Sequence, residues 1–573
     1  MLLSNTNPNH CMTLKAAILV ILVAFASHAY ALWPLPKQLS TGSTTLKLSD
    51  DFDITFDGDS APQDLLDAIS RTKDFVHNDK LQRLVVGRGA SDTDAVSSAQ
   101  SLSSLVLSMD SGFSGQMRSL SEEAIDLLEL RVEGYSLTVP SGGSQAELKA
   151  NSTLGLFRGL TTFSQLWYDL DGTAYTVEAP IAIMDEPAYP YRGLMLDTAR
   201  NYFPVADIKR TLDTMSWVKI NTFHWHISDS QSFPLQIPGF PELAAAGPYS
   251  PSMVYTAEDV KDIVDYAAAR GIDVLPEIDT PGHTMIISKA YPEHIACAEA
   301  KPWASFANEP PAGQLRLASS STTNFTQTLF SAASSLFSGK YFSSGGDELN
   351  TNCYDQDPQT QDDLKKSGKT LEEALAGFTQ ATHGVLHEKG KTAVVWEEMV
   401  LEHNLNLSAS NTIIMVWISS AHAASVAHAG YRFVHAPSDY FYLDCGAGEW
   451  IGADPEGNSW CDPFKTWQKS YTFDPLANLT EEEGGLVLGG QQLLWTEQSG
   501  SSNLDPIVWP RAASSAEVFW SGPGKDVAAA LPRLHDLGFS QGNCHSDTAK
   551  LDGIRTWSSG CLQVMKSIRN SKR

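Results

Sequence analysis

From residue 191 onward the hydrophobic and polar positions of the chain repeat one order. A short run rich in β-branched and aromatic residues comes first, then a polar loop, then a stretch with apolar positions three and four apart. Eight such runs can be counted: Tyr191–Leu196, Asn221–His226, Ile272–Glu277, Tyr341–Gly346, Thr392–Trp396, Thr412–Trp417, Tyr431–His435 and Leu486–Trp495. Helical patterns such as Ala206–Val218, Ala257–Arg270 and Leu371–Lys389 lie between them. Strands alternating with helices predict a parallel sheet, and eight units predict that it closes into a (β/α)8 barrel. Residues 32–187 read differently. Leu46-Lys-Leu, Asp53-Ile-Thr-Phe and Leu105-Val-Leu-Ser-Met alternate or cluster like strands, and residues 130–139 read as paired strands around Gly134. Residues 91–104 read as a Ser-rich loop, and Thr153 to Trp167 as a helix. The expectation is a smaller α+β domain over 32–187 and a catalytic barrel over 188–573, joined at the proline-marked stretch Asp185-Glu-Pro-Ala-Tyr-Pro190.

The first 31 residues carry a different signal. Lys15 precedes the apolar run Ala16 to Ala26, and Ala29-Tyr30-Ala31 supplies a small-x-small cleavage site. That run is too short to span a membrane and reads as a secretory signal peptide over residues 1–31. Secretion sets the redox context. Cys11 leaves with the signal, and the six remaining cysteines suggest three disulfides. Spacing favours Cys445–Cys461 and Cys544–Cys561, which leaves Cys297–Cys353. Sequons at Asn151, Asn324, Asn406 and Asn478 fit N-glycosylation. The net charge of −27 argues against nucleic acid, whose phosphates need a basic face. No further apolar stretch predicts a membrane partner.

The reactive residues cluster where a barrel keeps its active site, just past the strand ends. His226 and Asp229 follow the second run, Asp279 and His283 the third, Asp347 and Glu348 the fourth. Trp396 and Trp417 end the fifth and sixth. Tyr442 and Asp444 follow the seventh, and Trp495 and Glu497 close the eighth. Indoles stack on the apolar face of a sugar ring, and carboxylates accept from its hydroxyls, so this mixture points to carbohydrate. In Tyr341-Phe-Ser-Ser-Gly-Gly-Asp-Glu348 the glycines permit a tight turn. The two adjacent acids repel, which raises the pKa of one and describes a general acid beside an anion.

Four segments then meet a family. Arg192-Gly-Leu-Met-Leu-Asp-Thr-Ala-Arg200, Asn221-Thr-Phe-His-Trp-His-Ile-Ser-Asp229, Leu275-Pro-Glu-Ile-Asp-Thr-Pro-Gly-His283 and Gly345-Gly-Asp-Glu348 closely resemble the β-N-acetylhexosaminidases of glycoside hydrolase family twenty, the fungal secreted enzymes most of all. The resemblance implies a retaining exo-glycosidase whose substrate supplies its own nucleophile, the 2-acetamido oxygen. It makes Glu348 the acid/base and Asp347 the residue that orients the acetamido group. Tyr442 would bond the acetamido oxygen. Trp396, Trp417 and Trp495 would wall the methyl pocket. Arg192, Asp444 and Glu497 would hold ring hydroxyls, and Asp229 and His283 would support Glu348. Arg192 lies near the start of its run, so its assignment rests on the resemblance alone. Ser343 stands where many members carry a histidine. The family also suggests a homodimer.

Two other readings compete. His224-Trp-His226 with His283 could hold a catalytic metal, because residues i and i+2 of a strand share a face. A non-catalytic sugar-binding protein would keep the tryptophans and lose the acid. The carboxylate pair argues against the second reading, and the tryptophan-rich walls against the first. Neither a phosphate loop nor a dinucleotide fingerprint is present, so no cofactor and no metal are expected; the partner is an oligosaccharide.

Overall fold

The computed structural model describes residues 32–542 apart from 59, 79–88 and 525. The expected signal segment with Cys11, and the Cys544–Cys561 pair, lie outside the described residues. Every one of the eight barrel runs forms a strand: Tyr191–Asp197, Thr222–Ser228, Asp273–Ile278, Tyr341–Gly345, Thr392–Trp396, Thr412–Val416, Arg432–His435 and Val487–Leu494. They pair in parallel in sequence order, and the eighth closes on the first from Gly489↔Tyr191 to Leu494↔Leu196. The third and fourth strands meet at the single pair Ser343↔Glu277. Helices cover the outside, so nearly every strand residue is buried on both faces, including polar ones such as His224, His226, Gln491 and Gln492.

Ahead of the barrel lies a six-stranded mixed sheet. Its long first strand, Gln38–Phe56, contains both of the early strand-like patches, with a register break against its neighbour Gln100–Met109 between Leu48 and Asp53. Two expectations fail here. The serine-rich stretch is not one loop, since it forms a short helix, Thr93–Ser97, and then enters the second strand. Residues 130–139 are not paired strands. Leu128–Leu130 is a 3-10 turn and only Tyr135–Val139 is a strand, bonded to Ala146–Ala150 and Thr173–Asp185. Arg131 and Glu133 are drawn out of the sheet by ionic partners on the barrel. The helix Thr153–Ser164 is buried along its whole length. At Gly159 a Cβ would sit 2.2 Å from Leu148 Cδ1, which explains why a poor helix former stands mid-helix.

The sheet and its helix contact the N-terminal end of the barrel, and charge is buried there. Glu133 Oε2 accepts from Arg158 Nε at 2.8 Å and from Arg192 Nη2 at 2.6 Å. Arg192 also donates to the carbonyls of Tyr189 and Lys219 at 2.9 Å each, and its guanidinium covers the Trp520 ring. Lys219 pairs with Asp185 at 2.9 Å, and Arg131 with Asp273 at 2.7 Å. Arg192 therefore corrects the sequence reading. It sits at the second position of its strand, every polar contact it makes is at the barrel floor, and it does not reach the rim. Burial pushes Glu133 up, but Arg192 and Arg158 outweigh it and hold the carboxyl at about 2. A depressed carboxyl stabilises fully above its unfolded pKa and loses that contribution only as pH falls through the folded value, so this cluster survives acid well below neutrality.

Removing one partner of a buried ion pair leaves the other uncompensated. Arg192→Met should lower unfolding stability by about 3 kcal/mol in a urea titration while KM for substrate changes little. A raised KM with unchanged stability would return Arg192 to the sugar site.

Candidate active site

The site is built from the end of the fourth strand. Gly345 (φ 67°) and Gly346 (φ 101°) turn the chain where side chains cannot follow. A Cβ on Gly345 would lie 1.8 Å from Asp279 Oδ1, and one on Gly346 would lie 2.2 Å from Met399 Cε. The Gly346 N–H donates to Asp279 Oδ1 at 2.8 Å. Asp347 is thereby buried against the third strand's loop, and Glu348 emerges half-buried in a left-handed conformation (φ 55°). His283, which faces it, is also left-handed (φ 55°). Such strain costs roughly 1–3 kcal/mol per residue and is held by the surrounding contacts.

A chain of polar contacts runs up the barrel interior to the acid. Tyr191 donates to Gln491 at 2.6 Å, and Gln491 donates to His224 Nδ1 at 3.0 Å. Glu277 joins His224 Nε2 at 3.1 Å to His226 Nδ1 at 2.5 Å. His226 Nε2 meets Asp229 at 3.0 Å, and the other Asp229 oxygen meets His283 Nδ1 at 3.1 Å. His283 Nε2 then lies 3.3 Å from Glu348 Oε2 and 3.9 Å from Asp347 Oδ2. Ser343 donates its hydroxyl to Glu277 and so joins this chain.

The electrostatics invert one expectation. Burial raises Asp347, as does the Glu348 charge. Burial also pushes Glu348 up, but His283, Asn308 and Arg200 outweigh it, and its carboxyl lies below the usual range. His283 would be lowered by burial; Asp229 and Asp347 raise it well above an ordinary imidazole. The proton expected on Glu348 therefore rests on His283, 3.3 Å away. Sequence adjacency suggested repulsion between the two acids, but the imidazole between them and Asp229 decides the outcome. Asp279, raised further by burial and by Asp347, keeps its proton and bonds Asp347.

Beside Asp347 four aromatic residues enclose a cage. Trp417 stacks on Tyr442 with centroids 6.1 Å apart, Tyr442 lies 6.4 Å from Trp495, and Trp495 lies 6.2 Å from Trp396. Exposed Trp460 stands edge-on to both Trp417 and Tyr442. At the cage's edge Arg200 gathers acids: Asp229 at 2.9 Å, Glu309 at 3.0 Å, Asp197 at 3.5 Å and Glu497 at 3.9 Å. Its guanidinium covers Trp495. Burial raises the Asp444 carboxyl to about 7.

Ten of the eleven expected catalytic, binding and supporting residues thus meet at one rim: Asp229, His283, Asp347, Glu348, Trp396, Trp417, Tyr442, Asp444, Trp495 and Glu497. Arg192 does not, and the arginine found at the rim is Arg200. Arg200 ends the same quoted motif just past the first strand, so the rim rule alone could have found it. Asn308 and Glu309 had no such signal, because they lie in a loop without a strand end. Both ring nitrogens of His224 and of His226 have protein partners, which leaves neither free for a metal. Two expected disulfides are present. Cys297–Cys353 ties the loop before Asn308 to the helix after Glu348, and Cys445–Cys461 ties the loop bearing Trp460 back to Asp444.

The chain is similar to known proteins over both of its parts. The profile described as glycosyl hydrolase family 20, catalytic domain, matches residues 189–523, and that described as beta-acetyl hexosaminidase like matches 32–166. A beta-hexosaminidase of Arthroderma benhamiae is 36% identical over 408 residues, covering 68% of this chain and 67% of that protein. A chitooligosaccharidolytic beta-N-acetylglucosaminidase of Bombyx mori is 36% identical over 411 residues, 68% of each. The X-ray structure of Flavobacterium johnsoniae chitobiase superposes with a TM-score of 0.70 at 26% identity, covering 89% of this chain and 72% of that one. The chain belongs to glycosyl hydrolase family 20 and is a glycoside hydrolase of the β-hexosaminidase kind.

Proposed function

We propose that the chain is an exo-acting, retaining β-N-acetylhexosaminidase working by substrate-assisted catalysis. The observation that carries this reading is the aromatic cage beside a buried carboxylate. A small apolar cage with one anionic edge fits an N-acetyl group, its methyl against the indoles and its N–H toward Asp347. The acetamido carbonyl oxygen attacks the anomeric carbon as the glycosidic bond breaks, and Glu348 delivers a proton to the leaving oxygen. The proton reaches Glu348 from His283 Nε2, which Asp229 keeps charged through Nδ1. Asp347 offsets the positive charge that develops on the acetamido nitrogen, a preorganised electrostatic role. Water, deprotonated by Glu348, then opens the oxazolinium ring at the anomeric carbon, and two inversions give net retention. Tyr442 bonds the acetamido oxygen; burial raises its phenol, which keeps the donor proton. Arg200, Asp444 and Glu497 hold ring hydroxyls.

Substrates in this reading are oligosaccharides ending in β-linked N-acetylglucosamine or N-acetylgalactosamine, including chito-oligosaccharides of the kind named for the silkworm relative. The enzyme is secreted and glycosylated. All four sequon asparagines are exposed, and among the described residues no helix is long and apolar enough to cross a membrane.

Two measurements test the mechanism. An aryl N-acetyl-β-glucosaminide should be cleaved and the aryl β-glucoside lacking the acetamido group should not; comparable cleavage of both would require a protein nucleophile and sink the proposal. The second is a pH profile of kcat/KM. Turnover needs Asp347 ionised and one proton on the His283–Glu348 pair. His283 holds Asp347 down and is itself raised well above 6.5. His283→Asn should therefore narrow the bell from both sides: the acid limb moves up as Asp347 loses its neighbour, and the alkaline limb moves down to Glu348 alone. Limbs that stay in place would remove the imidazole from the proton path.

A further inference from the structure

Two adjacent glutamates follow Trp396 at the end of the fifth barrel strand, and the second opens the short helix Glu398–Leu401. Both are buried. They hold one residue of the neighbouring strand end by two separate handles. Glu397 Oε2 accepts the Trp417 backbone N–H at 3.2 Å, and its other oxygen meets His422 Nδ1 at 2.7 Å. Glu398 Oε2 accepts the Trp417 indole N–H at 2.8 Å. The backbone handle fixes where Trp417 starts. Only the indole handle fixes the ring plane, because the torsion that turns the ring is broad on its own. That plane matters, since Trp417 lies within 17° of parallel to Tyr442 and forms one wall of the cage. The helix is itself registered on the catalytic loop, with Met399 packed where Gly346 has no side chain.

We propose that Glu398 is a positioning residue: by clamping the indole N–H of Trp417 it fixes the depth of the acyl pocket and sets which N-acyl groups the enzyme accepts. The inference rests on the acetamido reading above. The chemistry of the clamp is consistent with its burial. Burial first, and then the Asp347 charge, push the Glu398 carboxyl up to about 9. At neutral and acidic pH it is an uncharged acid, so it needs no counter-ion and adds no second anion beside Asp347. A glutamine should replace it well, because an amide carbonyl accepts the same indole N–H.

The test compares kcat/KM for aryl β-glucosaminides bearing N-acetyl and N-propionyl groups, one methylene apart. A rigid pocket should favour acetyl by roughly tenfold or more. Glu398→Gln should keep that ratio within about threefold, and Glu398→Ala should erode most of it, with the melting curve recorded for each. Trp417→Phe keeps an aromatic wall but has no N–H to clamp. It should lose the same selectivity, and adding Glu398→Ala to it should change the ratio no further, which is the signature of one shared interaction. A folded Glu398→Ala enzyme with the wild-type ratio would overturn the proposal. So would an unchanged ratio in Trp417→Phe, which keeps the test decisive if Glu398→Ala does not fold. A wild-type enzyme indifferent to the extra methylene would overturn it too. Equal cleavage of the aryl glucoside without any acyl group would instead defeat the acetamido reading itself, so the two failures are distinct.

Discussion

The rim buries far more carboxyls than cations, and that imbalance governs the site. Arg200 alone contacts four acids, and its own charge is secured because they outweigh the burial that opposes it. His283 and His226 supply the remaining positive charge, the latter raised to about 10 by its acidic partners against burial. Two of the carboxyls next to these cations, Asp229 and Glu348, lie below their ordinary range. Asp279, raised by burial and by Asp347, and Glu398, raised by burial to about 9, keep their protons. Ionisation in this site is a balance of burial, neighbouring acids and nearby cations, and the cations prevail at Asp229 and Glu348 but not at Glu309, Glu497 or Asp347.

The two ends of the barrel use buried charge differently. At the floor Arg158 and Arg192 hold Glu133 with short contacts and join sheet to barrel, although Arg158 Nη1, Arg131 Nη1 and Asp273 Oδ1 lack a partner there. At the rim Asp444 Oδ1 and Trp396 Nε1 have no protein partner. Orphaned buried groups are costly in a finished core. Gathered around one cage, they are the groups a polar ligand would satisfy. This follows the division of labour of such barrels, with stability at the N-terminal face and chemistry at the C-terminal face.

The barrel was legible because its signal is periodic. All eight runs recur as strands, with ends shifted by a residue or two. Where the sheet domain departs from its pattern the cause is tertiary: Arg131 and Glu133 look like strand residues until barrel partners claim them. The same contrast runs through the site. Residues placed by the end of a strand, such as Trp396 or Asp347, could be read from the sequence. Arg192 was misplaced because a motif was followed against the strand geometry, which pointed to Arg200, eight positions on and at the correct end. Asn308 and Glu309 come from a long loop whose path depends on the Cys297–Cys353 bond and on Arg200, neither of which has a local signature. Adjacency correctly has one acid of the Asp347–Glu348 pair raised, but that acid is Asp347 and not Glu348, because His283, remote in sequence, lowers Glu348.

Gly345 and Gly346 connect these parts into one unit. The missing side chain at Gly345 admits Asp279, which fixes Asp347 from below through the Gly346 N–H and through its own proton. The missing side chain at Gly346 admits Met399, which seats the helix carrying Glu398. The carboxylate that faces the acetamido group and the clamp that holds the pocket's Trp417 wall thus share a two-residue turn. Any side chain at either glycine must push on one of them. An alanine at Gly345 would displace the acid that pins Asp347, whereas one at Gly346 would displace the wall. The two substitutions strain the backbone alike, yet they act on different halves of the same chemistry.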